Sequence, residues 1–151
     1  MPIYHGGHLR HGRCSEPGRL YSITVVTAGR KALFHDFFLG RILVHELHQV
    51  EELRLARTLC WVVMPDHLHW LLELGELELS GLLQRVKSRS AKALNQRLGR
   101  SGAVWQAGFH DHCLRGDEDV QAVARYIVAN PLRAGLVERL SDYPLWDAIW
   151  L

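Results

Sequence analysis

From residue 67 to residue 74 the chain reads His, Leu, His, Trp, Leu, Leu, Glu, Leu, so that every second side chain, from Leu68 to Leu74, is apolar. A period of two belongs to a β-strand, whose successive side chains point to opposite faces. One side of this strand, formed by Leu68, Trp70, Leu72 and Leu74, has to be buried, while the other side presents His67 and His69. The segment therefore demands a sheet with one face covered by other elements and a histidine pair on its opposite face.

The neighbouring segments supply the covering. Residues 59–64 are a continuous apolar run, read as a buried strand, and Pro65-Asp66 breaks it, so residues 59–74 predict a hairpin. Residues 20–27 are dense in β-branched and aromatic side chains and predict a strand ended by Ala28-Gly29. Between about Asp36 and Arg57, Leu39, Ile42, Leu43, Leu47, Val50 and Leu53 recur at helical spacing. Ser80 is placed to cap a second helix that runs to about Leu98 and closes at Gly99. Residues 104–114 are aromatic-rich and extended. Asp117 is placed to cap a last helix, with Glu118 and Asp119 in its first turn, where the dipole favours acids. That helix is expected to stop at Asn130-Pro131, because a residue before proline avoids helical geometry. The order βαββαβ plus a helix predicts an α+β, ferredoxin-like antiparallel sheet with two helices on one face. The other face is left to carry a site or receive the C-terminal helix. Residues 1–19 are read as a basic N-terminal arm, 20–140 as one domain and 141–151 as a C-terminal tail.

At 151 residues the chain has the size of one ordinary domain. Cys14, Cys60 and Cys113 are odd in number and form no C-x-x-C pair, which argues against a disulfide framework or a Cys-rich zinc site. No apolar run approaches the ~18 residues of a membrane span. The first residues lack the hydrophobic core of a signal peptide, so a cytoplasmic address and no membrane partner are expected. The net charge is only +2 but unevenly placed. Between Gly81 and Arg100, along the second helix and just past its end, the chain carries Arg85, Lys87, Arg89, Lys92, Arg97 and Arg100 and no acid. Such a stripe is either a solvated surface or the footprint of a polyanion.

The chemistry-bearing residues lie on the histidine strand and the last helix. Two residues apart on a strand, His67 and His69 have Cβ atoms roughly 6–7 Å from each other, close enough to converge on one cation. An arbitrary His-x-His is usually just hydrogen-bonded; this one follows a turn and lies on the uncovered face. In the last helix Val120, Val123, Ala124, Ile127 and Val128 form an apolar stripe, and Tyr126 falls outside it. Asn130 comes one turn later on the same side. A phenol with an ordinary pKa near 10 is a poor nucleophile unless its surroundings help it ionise. A divalent cation held by two imidazoles and an amide oxygen would polarise a phosphodiester and stabilise the leaving 3′-oxygen. Attack by Tyr126 would then leave a covalent phosphotyrosine, favouring strand transfer over hydrolysis.

The segments Met64-Pro65-Asp66-His67-Leu68-His69 and Tyr126-Ile127-Val128-Ala129-Asn130-Pro131 resemble the motifs of the single-tyrosine HUH transposases, in their REP-associated branch. Residues 17–27, 86–89, 104–112 and 142–146 extend the resemblance in order and spacing. It implies a transposase domain over residues 20–140, with Tyr126 as nucleophile, His67 and His69 as metal ligands, and Mg²⁺ or Mn²⁺ as cofactor. Asn130 stands where insertion-sequence relatives typically place a Gln as third ligand. The implied partner is single-stranded DNA with palindromic hairpins, cut through a 5′-phosphotyrosine intermediate, by a monomer or homodimer that is nucleoid-associated when DNA-bound. Arg85, Lys87, Arg89 and Lys92 are then candidate phosphate contacts, Arg10, Arg13 and Arg19 in the arm are candidates to reach a groove or the unpaired guide bases, and His112, Trp105 and Phe109 are candidates for stacking on splayed bases.

Two rival readings compete with the transferase. One is a hairpin-binding protein with vestigial catalysis. The other is a metal-dependent phosphoesterase, which would need two separate His-x-Ser/Thr motifs; the chain has none.

Overall fold

Pro65 and Asp66 turn the chain so tightly that Met64 pairs directly with His67, and from that hairpin the rest of the sheet is laid down. The computed structural model describes residues 16–150. Along the chain run β1 (Leu20–Val26), α1 (Phe37–Glu52), β2 (Ala56–Met64), β3 (His67–Leu74), α2 (Leu79–Leu98), β4 (His110–Cys113), α3 (Val120–Val128), the one-turn α4 (Asn130–Arg133) and β5 (Trp146–Ala148). The strands form an antiparallel sheet in the order β4-β1-β3-β2-β5. Its first four strands have the ferredoxin-like order expected of βαββαβ, and β5 adds an edge beside β2.

The sheet has two different faces. Tyr21, Ile23, Val25, Trp61, Val63, Leu68, Trp70 and Leu72 point to one face and pack under α1 and α2, with Leu43, Leu47, Leu82, Leu83 and Val86 opposite them. Cys60, Val62, Met64 and Leu71 point to the other face, where Ala124, Ile127 and Val128 of α3 cover them. The apolar row of β3 thus lies beneath the two crossover helices, and the last helix shares the opposite face with the histidines.

Several boundaries differ from the sequence-based expectation. The helix α1 starts where Asp36 accepts hydrogen bonds from Phe38 N and Leu39 N, but it ends at Glu52 rather than near Arg57. Arg54 takes φ = +57°, and Leu55 N bonds back to Val50 O, closing the helix without a glycine. The chain then pairs at once as β2, with Arg57 opposite Glu73 in an ion pair at 3.1 Å. Helix α2 begins at Leu79 with no side-chain cap, one residue before the expected Ser80. Residues 104–109 form no continuous strand; Trp105 makes a single antiparallel bridge to Thr27, Val104 and Trp105 turn into the helix-side core, and the strand itself begins only at His110. The residues after 141 include a strand: Val63 N bonds to Leu145 O, and Leu145 packs against the backbone of α1 at Gly40, where a Cβ would collide with it.

Candidate active site

Helix α3 is capped by Asp119, whose carboxylate accepts from Ala122 N at 3.1 Å. Asp117 was the expected cap; the helix starts later because Glu118 turns its carboxylate back to Arg115 N (2.7 Å) and His112 (3.0 Å). With its apolar stripe on the sheet, α3 leaves Tyr126 63% exposed. Pro131 supplies no N–H, so the helix breaks at Ala129 and resumes as α4. The helical course nevertheless continues past the expected stop, and this brings Arg133 back over Tyr126. Its guanidinium carbon lies 3.7 Å from the centre of the tyrosine ring. Arg133 also donates to the Tyr126 carbonyl oxygen (2.6 Å) and to Asn130 Oδ1 (3.0 Å).

Asn130 links the two halves of the site. Its Nδ2 lies 3.2 Å from His69 Nδ1, and His69 Nε2 lies 3.1 Å from Ser22 Oγ on β1. Ser22 reaches this position because Thr24 pairs with His69 and Ser22 with Leu71, which puts both on the histidine face. Burial, reinforced by the electrostatic effect of the neighbouring His67 and Arg133, pushes the His69 pKa down to about 4. His69 is therefore neutral at physiological pH, the form in which imidazole ligates metals. On the other histidine, Nδ1 of His67 is 2.8 Å from Asp66 Oδ1, while Asp66 Oδ2 takes Arg30 at 3.0 Å. Burial opposes ionisation of Asp66, but the hydrogen bonds and charges of His67 and Arg30 outweigh it and hold the carboxyl below its usual range. A carboxylate on one ring nitrogen leaves the other for a cation, the usual arrangement behind a metal-bound histidine.

Among the described residues no three His, Cys, Asp or Glu side chains gather as a metal-binding group. A cation here would rest on His67, His69 and the amide of Asn130. Two imidazoles, one oriented by a carboxylate and one neutral, suit a divalent cation in kind, so the donor set fits.

The basic residues are distributed differently from the catalytic candidates. Arg10 and Arg13 lie outside the described residues. Arg19 sits by the sheet's end, bonded to Glu16 and Cys113 Sγ, both at 3.1 Å. Arg85, Lys87, Arg89 and Lys92 belong to α2, on the face of the sheet away from Tyr126. Lys87 donates to the carbonyls of Gln106 and Gly108, both at 2.8 Å, and Arg89 bonds Glu46, whose side chain is only 8% exposed. These two charges hold the protein's own segments together. His112, although exposed, spends Nε2 on Glu118. Trp105 is core, its Nε1 donating to Ser90 Oγ at 3.0 Å, so it is not available for stacking.

Ser22, Asp66, Arg30 and Arg133 were not singled out as site residues from the sequence. A carboxylate directly before a candidate ligand was the available signal for Asp66. Ser22 required the β1–β3 register, and Arg133 required the helix to continue beyond its proline.

A family model for IS200-like transposases matches residues 18–130. The chain belongs to this transposase family. Its relatives include the REP-associated tyrosine transposase of Escherichia coli (strain K12), 29% identical over 106 residues that cover 69% of this chain and 61% of the relative. The match thus spans about three fifths of that relative's length. A putative REP-associated tyrosine transposase of Haemophilus influenzae is 26% identical over 138 residues, covering 84% of this chain and 78% of the relative. Among solved structures, a REP-associated tyrosine transposase bound to a REP hairpin superposes with a TM-score of 0.74 at 26% identity, over 97% of this chain and 82% of its own. A putative transposase from Deinococcus radiodurans shares the fold, with a TM-score of 0.51 at 20% identity over 74% of this chain and 88% of its own. The transposase family match ends at Asn130, so Arg133 lies beyond it.

Proposed function

We propose that this IS200-like transposase is a metal-dependent, single-tyrosine HUH endonuclease and strand transferase that acts on single-stranded DNA at REP-type palindromic hairpins. The observation that carries this reading is the Asn130–His69 contact, which docks the tyrosine helix against the histidine strand on the face away from α1 and α2. The solved relative bound to a REP hairpin supports the choice of substrate.

In this reading His67 and His69, with Asn130, would hold Mg²⁺ or Mn²⁺, which when bound would supply charge neutralisation for the phosphate oxygens and the leaving 3′-oxygen. Asp66 and Arg30 hold the His67 ring in place. The Tyr126 oxygen bonds to phosphorus as the bond to the 3′-oxygen breaks. The phenol's proton passes to solvent, to which this side chain is open. The products are a 5′-phosphotyrosine and a free 3′-hydroxyl, and reversal by another 3′-hydroxyl rejoins the strand. The tyrosine acts on the histidines of its own chain, because Asn130, one turn from it, already contacts His69 of that chain; a monomer then suffices. The half-buried Arg85 and the exposed Lys92 contribute phosphate contacts remote from the cut. A cytoplasmic, nucleoid-associated address follows from such a substrate.

The test is covalent-adduct formation on a single-stranded oligonucleotide carrying a palindromic hairpin and flanks, with Mg²⁺ or Mn²⁺. Tyr126→Phe is expected to abolish the adduct, a loss of at least about 10³-fold, and His67→Ala to reduce it severely. Cleavage that survives Tyr126→Phe would establish hydrolysis instead. Tight hairpin binding by the wild type without any cleavage would establish a binding protein with vestigial catalysis.

A further inference from the structure

A guanidinium has only donors. The atom of Asn130 that faces Arg133 must therefore be the amide oxygen, and this settles the orientation of the whole chain of contacts. With Oδ1 held by Arg133 (3.0 Å), the Asn130 NH₂ donates to His69 Nδ1 (3.2 Å). A ring that accepts at Nδ1 carries its proton on Nε2, from which it donates to Ser22 Oγ (3.1 Å). Both ring nitrogens of His69 are spent, whereas the amide oxygen keeps a second lone pair beside the one that Arg133 takes. The His69 lone pair suited to a cation is thus occupied by a hydrogen-bond chain that begins at Arg133.

We propose that Arg133 is a positioning residue of this site: by holding the Asn130 amide oxygen, it aims the amide NH₂ at His69 and controls whether His69 has a lone pair to offer a cation. The same side chain stacks on Tyr126 and bonds its carbonyl, so one fork fixes both the nucleophile's ring and the amide. When Arg133 lets go, the amide turns over: Oδ1 becomes free to ligate or to accept a proton from Nδ1, and the His69 tautomer is no longer imposed. The metal-binding part of this inference rests on the metal-centred reading given above; the tautomer part does not.

Two measurements on the DNA-free protein separate these parts. The first is the ¹⁵N NMR signature of the His69 ring without metal. Wild type is expected to show an unprotonated Nδ1 and a protonated Nε2, and Arg133→Ala a shift toward a mixture of tautomers. A wild-type His69 protonated on Nδ1, or an Arg133→Ala spectrum identical to wild type, overturns the proposal. Arg133→Lys retains the positive charge but lacks the fork, so its spectrum is expected to follow the alanine variant; following wild type would mean that charge, not geometry, is responsible, and would overturn it. The second measurement is Mn²⁺ binding followed by electron paramagnetic resonance. Removal of one competing hydrogen bond is expected to tighten binding in Arg133→Ala by roughly three- to tenfold, and unchanged or weaker binding counts against the proposal. Absence of Mn²⁺ binding in every variant would sink the metal-centred reading, while the NMR result would still decide the role of Arg133.

Discussion

The two faces of the sheet are built from the same strands and obey opposite rules. Under α1 and α2, side chains are large, apolar and fully buried, and where polar groups occur they are spent on the protein itself: Trp70 Nε1 donates to Thr58, Trp105 Nε1 to Ser90, and Arg89 holds Glu46. On the other face α3 covers only part of the strands, and Ser22, His67, His69 and Asn130 remain half-buried around an exposed tyrosine. Burial of apolar surface stabilises the fold in proportion to area, so the first face provides the stability. The second contributes less and holds groups that burial would otherwise push out of use. The contrast shows how a small domain keeps reactive groups in fixed positions: their backbone belongs to a sheet anchored from behind.

That contrast can be broken by mutation, and Trp70→Ala gives the largest expected effect. It empties the middle of the helix-side core and is expected to cost about 3–5 kcal/mol, read as a lower urea midpoint. At temperatures where the variant stays folded, adduct formation per folded molecule is expected to be unchanged; a proportionate loss of both would mean that the faces are not separable. Arg89→Ala comes next. It leaves the Glu46 carboxylate largely buried without its partner, and because Arg89 is half exposed the expected cost is only about 1–2 kcal/mol. Hairpin affinity and its salt dependence are expected to stay close to wild type; a clear drop in the salt slope would return Arg89 to the DNA-binding surface.

Ser22→Ala sharpens the comparison from the other face. A stability change below about 1 kcal/mol is expected from the loss of one partly buried hydrogen bond, together with a several-fold slower adduct formation, since His69 loses the acceptor that fixes its ring. An unchanged rate would show that the serine is a bystander. The smallest effect concerns Tyr143, which reaches across behind β2 and donates its hydroxyl to Val63 O. Burial raises its pKa from 10.0 to about 12. The folded state therefore favours the neutral phenol, and that stabilisation is complete below pH 10 and disappears as the pH rises to about 12. Tyr143→Phe should remove this part of the alkaline loss of stability; urea midpoints that fall equally in both proteins over that window would contradict it.

The parts of the site legible in the sequence were those governed by short-range geometry. Alternation in residues 67–74 put His67 and His69 on one face and Trp70 on the other, and the helical stripe of Val120 to Val128 left Tyr126 outside the core. The misplaced end of the first helix has a local cause: the helical repeat before Arg57 ran into strand residues of equal hydrophobicity, and Arg54 closed the helix without the glycine that would have announced it. Lys87 and Arg89 read as phosphate contacts because a charge counts the same in a sequence whether it faces water or a carbonyl.

By itself, then, the amino-acid sequence determined the periodicities, and through them the order of the elements, the two-sided sheet and the side chains that share each face. Tertiary structure alone decided the partnerships. Ser22 meets His69 across 47 residues, Asn130 meets it across 61, and Arg89 meets Glu46 across 43. A period is set by the backbone geometry of a few successive residues, whereas such contacts depend on strand register and helix docking. Those are fixed only when the whole core packs.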